Sequence, residues 1–93
     1  MREISIERRL VAEAKKRGGL APKFVSPGLD GVPDRLVLFP GGRLGFVELK
    51  APGKKPRPLQ LRCAERLTAL GFRVYVVDRI EQIGGVLDEI QSL

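Results

Sequence analysis

GVPDRLVLFPGGRLGFVELKAPGKKP, residues 31–56, is the stretch whose reading decides the fold. RLVLF is a run of strand formers, PGGR is a turn, and LGFVELK returns as the partner strand. Two glycines between two apolar runs are the expected punctuation of an antiparallel hairpin. Asp34, Glu48 and Lys50 stand inside this pattern. A charged side chain in an apolar interior is costly unless it is paired or holds a metal, so their placement is either a surface accident or chemistry.

Side chains alternate along an extended strand, so Phe46, Glu48 and Lys50 share one side while Val47 and Leu49 share the other. Asp34 enters the antiparallel partner, and a tight hairpin folds that strand back beside Glu48, so the two carboxylates converge. Adjacent carboxylates repel unless something positive lies between them. Mg²⁺ would resolve this, because it prefers oxygen and takes one or two carboxylates with waters and substrate phosphate. The Leu49 carbonyl offers one more oxygen. Lys50 would then orient or deprotonate a water and steady charge on an attacked phosphate. Singly, each residue has an ordinary explanation: Asp follows Pro in many turns, and Glu-x-Lys is common on a solvated strand. Jointly, Pro-Asp followed at hairpin distance by Glu-x-Lys arises by chance on the order of once in a hundred chains of this length.

Outward from the hairpin, SPGLDGVP is a dense turn and loop signal that delivers Asp34. Before it, Lys23 to Val25 is a short strand candidate. From Ser5, a potential N-cap, to Arg17, the apolar Ile4, Leu10, Val11 and Ala14 recur at helical spacing, and Gly18-Gly19 stops the helix. Glu7 shares the face of positions 4, 11 and 14, so its carboxylate points along the protein body. Its position near a helix N-terminus also suits the helix dipole without any further role. After the hairpin, Pro52, Pro56 and Pro58 fence off a basic loop. Pro58 opens a second helix through Leu59, Cys63, Leu67 and Leu70 that Gly71 closes. FRVYVVD reads as a buried strand. Strand, helix, strand in this order is a crossover unit, which makes those two strands parallel and the sheet mixed. A last helix from about Ile80 carries Ile83, Val86, Leu87 and Ile90, weakened by Gly84-Gly85. The expectation is one α/β domain over residues 1–93, with helices on a sheet of about four strands.

Composition narrows the chemistry. Seventeen Lys and Arg against eleven Asp and Glu leave +6, which favours a polyanionic partner. One cysteine, Cys63, excludes an internal disulfide, and the absence of histidine removes the usual zinc ligand set and any Ser-His-Asp hydrolase. Acid-base work falls to carboxylates, lysine or water. No apolar run is long enough to span a bilayer, and MREISIERR lacks a signal peptide's apolar core, so a cytoplasmic location is expected. Lys54, Lys55 and Arg57 in the loop after Lys50, followed by Arg62 and Arg66 on the second helix, are placed to contact phosphates. Lys15, Lys16 and Arg17 end the first helix, where cations are stabilising without a partner. Phosphate contacts carry no direct sequence information, and few aromatics are present to stack on bases, so structure-selective binding is expected.

GVPD, a hairpin and VELK together resemble the Pro-Asp…(Asp/Glu)-x-Lys nuclease superfamily, PD-(D/E)XK. SPGLDGVPDRLVLFPGGRLGFVELKAPGKKPRPLQ is similar to its VRR-NUC branch, a likeness that covers nearly the whole chain. The resemblance implies a restriction-endonuclease-like core in the order α-β-β-β-α-β-α. It implies that Asp34 and Glu48 bind Mg²⁺ or Mn²⁺ and that Lys50 is catalytic. It also implies that Glu7 joins the metal site from the first helix, directly or through water, and that Gln60 shapes the site, although Gln is common at helix starts for ordinary reasons. Short stand-alone members occur in phages and bacteria and resemble archaeal Holliday-junction resolvases, which implies a homodimer, branched DNA such as a four-way junction, and products with 5′-phosphate ends. The main alternative is a non-catalytic nucleic-acid-binding module that keeps the basic loop. A small protein-interaction domain with incidental positive charge is a third reading, distinguished by weak salt dependence.

Overall fold

The computed structural model describes residues 2–93. Its elements run α1 (Glu3–Lys16), β1 (Arg35–Phe39), β2 (Arg43–Leu49), α2 (Pro58–Ala69), β3 (Arg73–Val77), a short 3₁₀ turn (Ile80–Gln82) and α3 (Ile83–Gln91). The three strands form one sheet in the order β1-β2-β3, with β1 antiparallel and β3 parallel to β2. The mixed sheet and its crossover are as the sequence predicts. The hairpin closes through Pro40–Gly42, where Gly41 and Gly42 both take the left-handed conformation that a tight turn demands.

The sheet has three strands rather than about four, and Pro22 is the reason. Residues 20–24 run antiparallel along the free edge of β1: Leu20 and Leu38 exchange both backbone hydrogen bonds, Leu36 N–H donates to Pro22 O, and Phe24 N–H donates to Asp34 O. At Pro22 the reciprocal bond has no donor, because proline carries no N–H. The ladder breaks there into isolated bridges at Leu20–Leu38 and Lys23–Arg35. The predicted strand at Lys23 to Val25 is therefore an edge segment that covers β1 without becoming a full strand.

β2 is buried from Gly45 to Leu49 and divides the interior into two layers. Val47 and Leu49 face α1 and α3, where Ile6, Leu10, Ala14, Ile83, Leu87 and Ile90 complete the larger core. Phe46 faces α2, packing with Cys63 and Leu67. Three expectations shift in detail. Helix α1 begins at Glu3 with Arg2 as its N-cap, so Ser5 lies inside it, and the buried stripe is Ile6, Leu10 and Ala14 while Ile4 is half exposed. On α2 the inward positions are Gln60, Cys63 and Leu67; Leu59 is turned away, and Leu70 lies past the helix at its C-cap. β3 is an edge strand with no neighbour on its far side among the described residues, so only Val77 is fully buried and Val76 and Phe72 are exposed.

Helix α3 sits close against β2 because residue 45 has no side chain. A Cβ there would lie 2.5 Å from Ile90 Cδ1 and 2.6 Å from Ile90 Cγ1, and Ile90 is completely buried. Gly45→Ala is expected to destabilise the fold by about 1–3 kcal/mol, the usual cost of overpacking, read as a lower urea midpoint with an unchanged slope. A midpoint equal to that of the parent chain would mean that α3 can retreat freely.

Candidate active site

In the hairpin register Arg35 pairs with Val47 and Leu36 with Phe46. Continuing it by one residue sets Asp34 opposite Glu48, which is why the two acids meet. Asp34 is anchored by the residue after its strand partner: Leu49 N–H donates to Asp34 Oδ2 at 2.7 Å. A residue's N–H and C=O point the same way along an extended strand, so the Leu49 carbonyl is turned toward the side on which Asp34 stands.

Glu48 is the unusual group. It is 3% exposed, and neither Oε1 nor Oε2 has a hydrogen-bond partner among the described residues. Lys50 Nζ lies 3.9 Å from Glu48 Oε2, too far for a hydrogen bond and close enough for charge attraction. Burial raises the Glu48 pKa from 4.5 to about 8; the nearness of the Asp34 carboxylate pushes the same way, while Lys50 opposes both. A small cavity of about 20 Å³ adjoins Glu48, walled by Pro33, Pro56, Gln60, Ala64 and Val74. That is room for about one water.

The donor set fits a hard divalent cation. Two carboxylates in register, one with both oxygens buried and unsatisfied, next to a main-chain carbonyl, are oxygen ligands short of positive charge. Asp34, Glu48 and the Leu49 carbonyl are the atoms that would hold it. Lys50 is on the same side of β2 and half buried. Gln60 is buried and borders the cavity, but its Oε1 is already committed, accepting from Arg57 N–H at 2.8 Å as a helix cap. It therefore shapes the wall of the site and fixes the start of α2.

Glu7 is not brought to the two acids. Its Oε2 accepts from Arg35 Nε at 3.0 Å and lies 3.0 Å from Arg35 Nη2, and Arg35 Nη1 also donates to Ala21 O. Among the described residues no cluster of three or more His, Cys, Asp or Glu could hold a metal. Alternation is the cause: Asp34 faces the α2 side with Glu48, so Arg35, one residue on, faces α1 and meets Glu7 there. Arg35 is the site-adjacent residue that sequence reasoning missed, and the same alternation would have found it.

The basic residues fall into two groups. Lys54, Lys55, Arg57 and Arg62 are exposed and make no ion pair among the described residues. Lys54, Lys55 and Arg57 lie in the loop between β2, which carries Glu48, and α2, and Arg62 lies on α2. Arg17 is instead bound to Asp88 and Gln91 on α3, a structural role at a helix end.

No family model matches the chain. The chain is 62% identical over 78 residues to a protein named "Putative nuclease p44" from Acyrthosiphon pisum secondary endosymbiont phage 1, covering 84% of each. A solved structure described as a VRR_NUC domain superposes with a TM-score of 0.85 at 34% identity, over 92% of this chain and 94% of that one. No helix among the described residues is long and apolar enough to cross a membrane.

The buried acid makes a pH prediction. The unfolded chain releases the Glu48 proton near its ordinary value while the folded chain holds it until about pH 8. The folded state thus binds more protons in that interval, and stability falls as pH rises through it, by up to about 1.4 kcal/mol per pH unit. With divalent ions chelated, denaturant unfolding between about pH 5 and pH 8 is expected to show this decline in the parent chain and a flatter profile in Glu48→Gln. Identical profiles would remove the buried-carboxylate assignment.

Proposed function

The chain belongs to the VRR-NUC nuclease family, and from that premise we propose that it is a Mg²⁺- or Mn²⁺-dependent DNA endonuclease selective for branched substrates such as four-way junctions. The observation that carries the metal is Glu48: a buried carboxylate with two unpartnered oxygens, set opposite Asp34 and beside Lys50. A purely DNA-binding module has no use for buried acids close to phosphate, where they repel the ligand.

In this reading Asp34, Glu48 and the Leu49 carbonyl hold the cation. A bound divalent ion supplies positive charge that polarises the phosphate and favours the deprotonated form of a nearby water. Lys50 orients that water and stabilises the extra negative charge on the phosphate oxygens as the new P–O bond forms and the 3′ oxygen leaves, which yields a 5′-phosphate end. Leu49 N–H keeps Asp34 from rotating away, and Gln60 holds the helix start that walls the site. Glu7 serves at one remove, by fixing Arg35 and hence β1 next to Asp34. Lys54, Lys55, Arg57 and Arg62 receive the backbone on the α2 side. The cell's cytoplasm, bacterial or phage-infected, is where such a substrate is met. A homodimer would present two sites related by a twofold axis, which suits paired nicks in a junction.

The deciding assay is incubation with a labelled four-way junction and a matched linear duplex, with and without Mg²⁺ or Mn²⁺. Cutting is expected only with metal and preferentially on the junction. Glu48→Gln and Lys50→Ala are each expected to slow it by about 100-fold or more. Metal-independent cutting, or cutting indifferent to both substitutions, overturns the site, whereas tight junction binding without any cutting points to the binding module. Sedimentation at micromolar concentration tests the dimer, and a monomer that still nicks junctions symmetrically contradicts it.

A further inference from the structure

Beyond the α2-side cations, the molecule carries a second basic feature on the opposite face of the sheet. An open groove of about 370 Å³ runs between α1 and the edge of β1, and its lining includes Ile4, Glu7, Arg8, Val11, Lys23 and Arg35. The acid in it is already neutralised, because Glu7 is bound by Arg35. Arg8 and Lys23 are exposed and make no ion pair among the described residues. The groove therefore offers two uncompensated positive charges.

Its position relative to the acids gives those charges a meaning. Lys23 bridges Arg35 across the β1 edge, and the next residue, Phe24, donates its N–H to Asp34 O at 2.8 Å. The groove thus begins beside the peptide that carries Asp34. Lys54, Lys55 and Arg57 lie in the loop that leads from Lys50 to α2 and Arg62 lies on α2, the helix whose Cys63 and Leu67 pack with Phe46 on the other face of β2. A strand cut in its interior continues in both directions from the scissile phosphate, so it must leave the acids on two flanks. The α2-side cations serve one.

We infer that the α1–β1 groove is a second phosphate-backbone contact, in which Arg8 and Lys23 hold the DNA on the flank of the scissile phosphate opposite Lys54–Arg62. The inference rests on the nuclease reading above and adds to it a path for the substrate across both faces of the sheet. Arg8 and Lys23 are DNA-contacting residues and take no part in the chemistry.

The test is fluorescence anisotropy of a labelled four-way junction, without divalent metal, from 50 to 200 mM salt. Compared are the parent chain, the pair Arg8→Ala with Lys23→Ala, the pair Lys54→Ala with Lys55→Ala, and a charge-matched control, Lys16→Ala with Arg73→Ala. Each lost phosphate contact lowers the slope of log K against log salt by about 0.9. The Arg8/Lys23 pair is expected to lower it by roughly two, about as much as the Lys54/Lys55 pair, with the control shifting it by less than half as much. A slope for Arg8/Lys23 equal to the control overturns the inference while leaving the nuclease reading standing if Lys54/Lys55 still matters. If the parent chain binds no DNA at all, the nuclease reading fails and this inference with it. Arg8→Gln with Lys23→Gln keeps the side-chain stems, and must reproduce the alanine result if lost charge is the cause.

Discussion

Burying a carboxylate with no hydrogen-bond partner is among the costlier things a small domain can do. Glu48 does it one residue before the end of β2, the strand on which both cores are built. Everything nearby limits that cost without removing it. Lys50 stands within charge attraction, the carboxyl holds its proton to about pH 8, and Asp34 is pinned to Leu49 N–H. A fold selected for stability alone would place an apolar residue at this position. The tension is local, because the surrounding layers are ordinary: Val47 and Leu49 on one face, Phe46 with Cys63 and Leu67 on the other. Strain concentrated at one position on a rigid strand is how a site stays preorganised for a ligand that relieves it.

The hairpin was legible because two independent periodicities agreed on it. The turn residues marked its tip, and folding the strand back from that tip brought Asp34 beside Glu48. The parallel β3 followed from the crossover helix with no further information. What failed was burial wherever it depended on a neighbour. Ile4 and Ile6 fit a helix equally well, and only the position of the sheet made Ile6 the buried one. The β-branched run of β3 reads as interior, yet among the described residues no fourth strand covers its outer edge. Pro22 was visible, but its effect depends on whether the chain alongside needs a donor at that point, and Leu36 does present its carbonyl there without one.

The site itself divides the same way. Asp34, Glu48 and Lys50 are set by backbone alternation within one hairpin, so a sequence can locate them. Glu7 is separated from them by a loop and a layer, and helical spacing alone left open which partner it would meet. The structure gives it to Arg35. Gln60 was placed correctly at the start of α2, and its commitment to the Arg57 N–H explains why it borders the cavity as a fixed wall.

The adjacency of Asp34 and Arg35 has a consequence for how this sequence can change. One residue faces the acids and the next faces α1, so the two faces of β1 carry different tasks one step apart. Lengthening or shortening β1 by a single residue would exchange them, sending the arginine toward Glu48 and the aspartate toward Glu7. The tip at Pro40–Gly42 is free to accept insertions, because it lies at the far end of the ladder. Between the tip and Asp34, only deletions and insertions that preserve the parity of the strand leave both faces intact. Length variation among chains of this design should therefore gather at the hairpin tip and in the loop ahead of residue 34, leaving the span between them fixed.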